Sequence, residues 1–101
     1  YSATKNAIHA FSESLRLDLL GKNIRVSEIS PGLVETEFSK VRFDGDETKA
    51  KKVYDGIHAL SADDIAEAIY WTVKLPEHMN MQEMVLYPVH QASPNFVHRA
   101  Q

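Results

Sequence analysis

Tyr1 and Lys5 are the two side chains whose types and spacing are best suited to proton transfer. Residues four apart on a helix share one face, so the phenol and the ammonium would lie side by side. A free phenol has a pKa of about 10, and a neighbouring positive charge lowers that pKa by favouring the phenolate. The pair could therefore work as a general acid and base. The spacing alone is common in helices, and by itself it favours an ordinary surface pair.

The hydrophobic pattern predicts alternating helices and strands. Ala7, Ile8, Phe11 and the leucines at 15, 19 and 20 form a helical stripe, whereas the residues from Ile24 to Ser30 alternate as in a strand. Ser61 and Asp64 have the spacing of a helix capping box. The predicted elements are a helix over 1–20, a strand over 24–30 ended by Pro31-Gly32, a helix over 47–58 within a less regular region 37–60, a helix over 62–75, a short strand over 84–88 and an irregular tail over 89–101.

This order of elements predicts an α/β fold with parallel strands joined by right-handed crossovers. Two strands do not make a stable sheet, so we expect further strands from sequence outside this chain. The chain also opens at Tyr1, without an initiator methionine and directly in a helical pattern. We therefore interpret it as the C-terminal part of a larger protein.

Composition narrows the classes of function. The 101 residues carry a net charge of −3 and are 44% hydrophobic, and they include no cysteine. Scattered basic residues argue against a nucleic-acid partner, and no apolar run approaches the roughly 20 residues of a membrane span. The five histidines lack metal-ligand spacing, so no metal site is predicted.

Three motifs in fixed order change the interpretation of Tyr1 and Lys5. They are Tyr1-Ser-Ala-Thr-Lys5 at the start of a helix, then Ile24-Arg25-Val26, then Ser30-Pro31-Gly32-Leu33-Val34-Glu35-Thr36. This arrangement resembles the C-terminal half of the classical short-chain dehydrogenase/reductase family. The resemblance implies part of a Rossmann-type, doubly wound parallel sheet in three α/β/α layers. It would hold a catalytic helix (1–20), a strand and cofactor loop (24–36), a substrate-loop region (37–60), a helix (62–75), the last strand (84–88) and a tail (89–101).

The resemblance also implies roles for individual residues. Tyr1 would protonate the carbonyl oxygen during reduction, and Lys5 would lower the pKa of the tyrosine and bind the nicotinamide ribose. The cofactor loop would line the nicotinamide and pyrophosphate end of the cofactor, because glycine allows close backbone approach and threonine offers a hydroxyl. The loop residues implied are Pro31, Gly32, Val34 and Thr36.

Further stretches, including Val41-Arg42-Phe43 and Pro88-Val89-His90-Gln91, resemble bacterial NADP-dependent 3-hydroxy acid dehydrogenases. That resemblance implies NADP, with NAD as the other possibility, and a substrate such as serine, allo-threonine or malonic semialdehyde. Arg42 is the cation we predict to meet the substrate carboxylate. A cytoplasmic homo-oligomer, dimer or tetramer, is also implied.

Two alternatives stay open at this point. One keeps the family but changes the substrate to another small alcohol or ketone, a choice that the segment from Glu37 to Leu60 would decide. The other is a non-catalytic oligomerisation or binding module that keeps the fold. The chain holds no glycine-rich dinucleotide turn, since its four glycines are scattered, so we expect these 101 residues alone to be inactive.

Overall fold

The computed structural model describes residues 2–35 and 54–100. Three of the residues singled out by the sequence, Tyr1, Thr36 and Arg42, lie outside this described part, as does most of the region 37–60. The described elements, in chain order, are α1 (Ser2–Asp18), β1 (Glu28–Pro31), β2 (Val34–Glu35), β3 (Leu60–Ser61), α2 (Ala62–Val73), β4 (Glu83–Leu86), β5 (Gln91–Ser93) and β6 (Phe96–Val97).

Helix α1 ends at Asp18, two residues before the predicted end at position 20. The chain then turns, with Leu19 N donating to Leu15 O at 3.0 Å and Lys22 N donating to Leu19 O at 3.0 Å. Gly21 adopts a φ of 91°, a conformation that is unfavourable for residues with a Cβ atom. Gly21 therefore lies in the turn that follows the helix, where its lack of a Cβ atom is needed.

Strand β1 begins at Glu28, four residues later than the strand predicted from Ile24. The reason is visible at Val26, whose backbone is bound by a side chain instead of a neighbouring strand. Val26 N donates to Asn80 Oδ1 at 2.9 Å, and Asn80 Nδ2 donates to Val26 O at 3.1 Å. One side-chain amide thus satisfies both backbone groups of Val26, so this residue does not pair with a strand and the ladder begins only at Glu28.

Arg25 joins the approach to β1 to the end of α2. Its guanidinium donates to backbone carbonyl oxygens at the last residue of α2 and in the segment that follows it, and a cation there is favoured by the helix dipole. Nη2 binds Val73 O at 3.0 Å, and Nη1 binds the carbonyl oxygens of Leu75, Pro76 and Met79 at 3.0, 3.2 and 3.2 Å.

We expect Arg25→Met to lower the free energy of unfolding of the full-length protein by about 2 kcal/mol, because several carbonyl groups lose a charged donor. Arg25→Lys should recover only part of this loss, since an ammonium cannot reproduce the planar fork. Denaturant unfolding measures both changes, with Lys22→Met as the matched control for loss of an exposed cation. An Arg25→Met effect no larger than that of the control would contradict the role of Arg25.

Strands β1 and β4 pair in parallel, with Glu28 opposite Glu83 and Pro31 opposite Leu86. A second parallel pair joins β2 to β3, with Val34 opposite Leu60. The α/β class with parallel strands is therefore confirmed. The connection from β1 to β4 runs through α2, as in a crossover unit.

The predicted capping box at the start of α2 is confirmed. Asp64 N donates to Ser61 Oγ at 3.1 Å, and Ser61 N donates to the Asp64 carboxylate at 2.8 Å. These bonds lower the pKa of Asp64, with the backbone donor as the main cause. The helix predicted over 47–58 is wrong for its described part, because residues 54–56 form a turn in which Gly56 has a φ of 69°.

The prediction of an irregular tail is also wrong. Strands β5 and β6 form an antiparallel hairpin, extended by a bond from His98 N to His90 O of 2.7 Å. The chain beyond the hairpin returns to the turn at 54–56, where Ala100 N donates to Gly56 O at 2.7 Å. Arg99 Nη1 also donates to Asp55 O, at 2.6 Å. The tail therefore joins two distant parts of the described chain.

Apolar faces are exposed throughout the described residues. The predicted stripe on α1 is half-buried only at Leu15 and Leu19, whereas Phe11 is 65% exposed. The residues that are buried are Ser12, Thr72, Pro88 and Gln91. This pattern is expected when the layers that cover a sheet and its helices lie outside the described residues. Within residues 2–35 and 54–100, no helix is both long and apolar enough to cross a membrane.

Candidate functional site

The candidate site lies where β1 ends and the chain passes through Gly32 and Leu33 into β2. The residues from Pro31 to Val34 are half-buried. Because β1 and β4 are parallel, their carboxyl ends lie at the same edge of the sheet. Open α/β sheets bind ligands beyond this edge, so the loop is in the position expected for a cofactor-binding segment.

Backbone and side-chain hydrogen bonds fix this loop on three sides. Gly32 N donates to Leu86 O of β4 at 2.7 Å, and Leu33 N donates to Gln91 Oε1 at 2.9 Å. The carbonyl oxygen of Leu33 accepts from Leu60 N at 2.9 Å. The conformation of the loop is therefore set by partners that are far away in sequence.

Val34 is held by a tyrosine from beyond the 36–53 segment. The Tyr54 hydroxyl donates to Val34 O at 2.9 Å. Tyr54 falls within the helix predicted over 47–58, but it lies in a turn and its hydroxyl binds the backbone. Tyr54 therefore links the two described segments that flank residues 36–53.

Gly32 is required by close packing within the chain itself. A Cβ atom at this position would lie 2.6 Å from Tyr87 Cδ1 and closer still to Gln91 Oε1. Real Cβ atoms do not approach other heavy atoms so closely, and a buried glutamine has little room to move. The side chains of Tyr87 and Gln91 therefore exclude any larger residue at position 32, whether or not a ligand is bound.

Of the predicted site residues, the structure describes Lys5, Pro31, Gly32 and Val34. The last three belong to the loop just described, and Lys5 lies exposed on α1. The assignments of Tyr1, Thr36 and Arg42 fall outside the described residues and stay predictions.

His9, one helical turn beyond Lys5, is the centre of a second polar cluster. Its Nδ1 lies 3.0 Å from Glu28 Oε2, and its Nε2 lies 3.0 Å from Glu13 Oε1. Glu83 completes a group of possible metal ligands with His9 and Glu28. Both ring nitrogens face carboxylates, however, which suits a protonated imidazole with two N–H donors. The hydrogen bond and charge of Glu28 are the main causes of a raised pKa for His9.

We expect this cluster to make stability depend on pH. The pKa of His9 is higher in the folded than in the unfolded protein, so its contribution is fully present below the unfolded value of about 6.5. That contribution is lost as the pH rises through the raised, folded value. Unfolding experiments on full-length wild type and His9→Gln across this range measure the difference. The free energies of unfolding of the two proteins should become equal at alkaline pH. A difference between them that stays constant with pH would contradict the assignment.

Sequence reasoning missed Gln91 and Tyr54 as residues that hold the loop. Gln91 was noticed only within the stretch Pro88-Val89-His90-Gln91, and no role was assigned to it. The sequence carried no signal for Gln91, because its burial becomes apparent only in the structure. Tyr54 gave no signal either, since tyrosines also pack on apolar faces.

Comparison with known proteins identifies the family. A family model described as short chain dehydrogenase matches residues 1–47. The chain is 50% identical over 93 residues to the uncharacterized oxidoreductase Rv0484c of Mycobacterium tuberculosis, covering 92% of this chain and 37% of the relative. It is 47% identical over 102 residues to the NADP-dependent 3-hydroxy acid dehydrogenase YdfG of Salmonella typhi, covering 99% of this chain and 41% of the relative.

A solved structure agrees with these sequence matches. The closed form of a serine dehydrogenase complexed with NADP⁺ superposes with a TM-score of 0.89 at 44% identity, over 100% of this chain and 41% of that chain. The chain thus spans about two fifths of the length of the relatives it matches. The predicted Rossmann-type fold class is confirmed by this likeness. The chain belongs to the short-chain dehydrogenase family.

Proposed function

We propose that the full-length protein is an NADP-dependent oxidoreductase that transfers hydride between nicotinamide and the hydroxyl-bearing carbon of a small 3-hydroxy acid. The observation that carries this proposal is the likeness, at a TM-score of 0.89, to a serine dehydrogenase complexed with NADP⁺. The similarity to a 3-hydroxy acid dehydrogenase at 47% identity supports the same substrate class.

The described residues fit a nicotinamide cofactor at the end of β1. The backbone from Gly32 to Val34 is fixed by bonds from Leu86, Gln91 and Tyr54, so it can meet a ligand without first becoming ordered. The cofactor supplies the hydride donor or acceptor when it is bound. The residues of this chain bind and orient it and provide the proton.

Tyr1 and Lys5 are the proposed proton-transfer pair. Tyr1 would donate its hydroxyl proton to the carbonyl oxygen in the reductive direction and accept a proton in the oxidative direction. Lys5, which lies on α1 and follows Tyr1 by four residues in the sequence, would favour the phenolate by its positive charge. The other proposed contacts are Thr36 to the cofactor and Arg42 to the substrate carboxylate, where a guanidinium can bind both oxygens.

Assembly and location belong to the same proposal. The exposed apolar residues of α1 and α2, among them Phe11 at 65% and Tyr70 at 60% exposure, supply surface that other parts of the protein or a second copy can cover. We propose a homo-oligomer, dimer or tetramer, in the cytoplasm. Sedimentation of the full-length protein would measure its oligomeric state.

The experiment that tests the function is a direct assay of the full-length protein. NADPH consumption would be followed with malonic semialdehyde, and NADP⁺ reduction with L-serine and 3-hydroxypropionate. We expect turnover with these substrates and a lower rate of turnover with simple ketones and alcohols. NADPH binding without turnover of any 3-hydroxy acid would sink the substrate assignment. The absence of cofactor binding would favour a non-catalytic module.

A further inference from the structure

We propose that Gln91, on the C-terminal hairpin, is a positioning residue that holds the cofactor loop in its binding conformation. The cofactor loop is the segment 31–36, of which residues 31–35 are described. This inference rests on the proposed function, because the loop is assigned to the nicotinamide end of the cofactor. It assigns Gln91 no contact with cofactor or substrate, since the residue acts through the backbone of Gly32 and Leu33.

The first observation is that Gln91 is buried and fully engaged. Only 7% of the residue is exposed, and its side-chain oxygen accepts a hydrogen bond from Leu33 N at 2.9 Å. Its side-chain nitrogen donates to Ser93 O at 3.3 Å, and its backbone N donates to Pro88 O at 3.0 Å. The glutamine is thus anchored in the hairpin and extends from there to the loop.

The second observation is that this network defines which way the amide points. Leu33 N is a donor and Ser93 O is an acceptor, so only one of the two amide orientations satisfies both groups. The oxygen must face the loop and the nitrogen must face the hairpin. An apolar side chain would leave Leu33 N without its acceptor, and a carboxylate would bring an oxygen against Ser93 O.

The third observation is the close fit of Gly32 against the same side chain. A Cβ at Gly32 would collide with Gln91 Oε1, so the glutamine oxygen occupies the space directly behind the glycine. Gly32 N is bound to Leu86 O at 2.7 Å and Leu33 N to Gln91 Oε1 at 2.9 Å, so the peptide groups on both sides of the Gly32 Cα atom are held. A change at Gln91 would therefore shift the backbone that meets the nicotinamide end of the cofactor.

The test compares two ligands that differ only at that end. NADP⁺ and 2′-phospho-ADP-ribose share the adenosine and pyrophosphate parts, but the second lacks the nicotinamide ring. Binding of both to full-length wild type, Gln91→Met and Gln91→Glu would be measured by calorimetry. Gln82→Met is the matched control, because it makes the same substitution at an exposed glutamine.

We expect Gln91→Met to weaken NADP⁺ binding about tenfold, while binding of 2′-phospho-ADP-ribose stays within about twofold of wild type. Gln91→Glu keeps an acceptor for Leu33 N and should rescue part of the loss. It also provides the test if the methionine variant does not fold. The control should bind both ligands as wild type does.

Equal weakening of both ligands would show a general structural role and overturn the proposal, as would unchanged NADP⁺ binding in both Gln91 variants. If the wild-type protein bound neither ligand, the proposed function itself would be contradicted, and the role of Gln91 with it.

Discussion

Tyr1→Phe in the full-length protein is expected to lower kcat by about a hundredfold to ten-thousandfold, with little change in NADP⁺ affinity. This range is typical when a positioned general acid is removed. Phenylalanine keeps the ring but has no proton to donate to the carbonyl oxygen. Steady-state assays with malonic semialdehyde and NADPH, together with a cofactor titration, separate the chemical step from binding.

Tyr70→Phe is the matched control for this substitution. Tyr70 is 60% exposed on α2, and Lys74 Nζ lies 4.7 Å from the centre of its ring, a contact that phenylalanine preserves. Its variant should retain wild-type kcat. If Tyr1→Phe also retained wild-type turnover, proton transfer by Tyr1 would be excluded.

Gly32→Ala is expected to weaken NADP⁺ binding at least tenfold and to lower the free energy of unfolding by about 1–3 kcal/mol. The physical reason is the collision of the new methyl group with Gln91 Oε1 and Tyr87 Cδ1. Relief requires movement of the buried Gln91 side chain or of the loop backbone, and either movement breaks the bond to Leu33 N. Calorimetric titration and denaturant unfolding measure the two effects.

Gly21→Ala distinguishes this mechanism from a general intolerance of alanine at glycine positions. A Cβ at Gly21 would meet nothing within 4 Å, but the residue has a φ of 91°. We expect a loss of stability of about 1 kcal/mol from backbone strain, without loss of cofactor binding. Equal cofactor affinity in wild type and Gly32→Ala would show that the loop does not depend on this packing.

Local features of the fold could be predicted from the sequence, because their causes lie within a few residues. The Ser61–Asp64 capping box uses groups three positions apart, and its prediction was confirmed. Helix α1 and the end of β1 at Pro31-Gly32 likewise follow from periodicity and from turn chemistry. The position of the cofactor loop at the end of a parallel strand follows from the order of elements.

Features that depend on distant partners could not be predicted in this way. Strand β1 starts late because Asn80, 54 residues away, binds Val26, and no periodicity encodes that contact. Leu33 meets Gln91 across 58 positions for the same kind of reason. Polar side chains that bind backbone groups leave little trace in a hydrophobic pattern. The tail was therefore mistaken for an irregular segment.

The bond from Tyr54 to Val34 has a consequence for how this enzyme family can diversify. Together with the parallel pairing of Val34 to Leu60, it fixes the two described ends that flank residues 36–53 relative to each other. Loop-closure entropy changes only slowly with length, by about 0.6 kcal/mol for each doubling. Under the proposed function, the length and sequence of residues 36–53 can therefore change substrate preference at a small entropic cost while the segment 31–35 keeps its conformation.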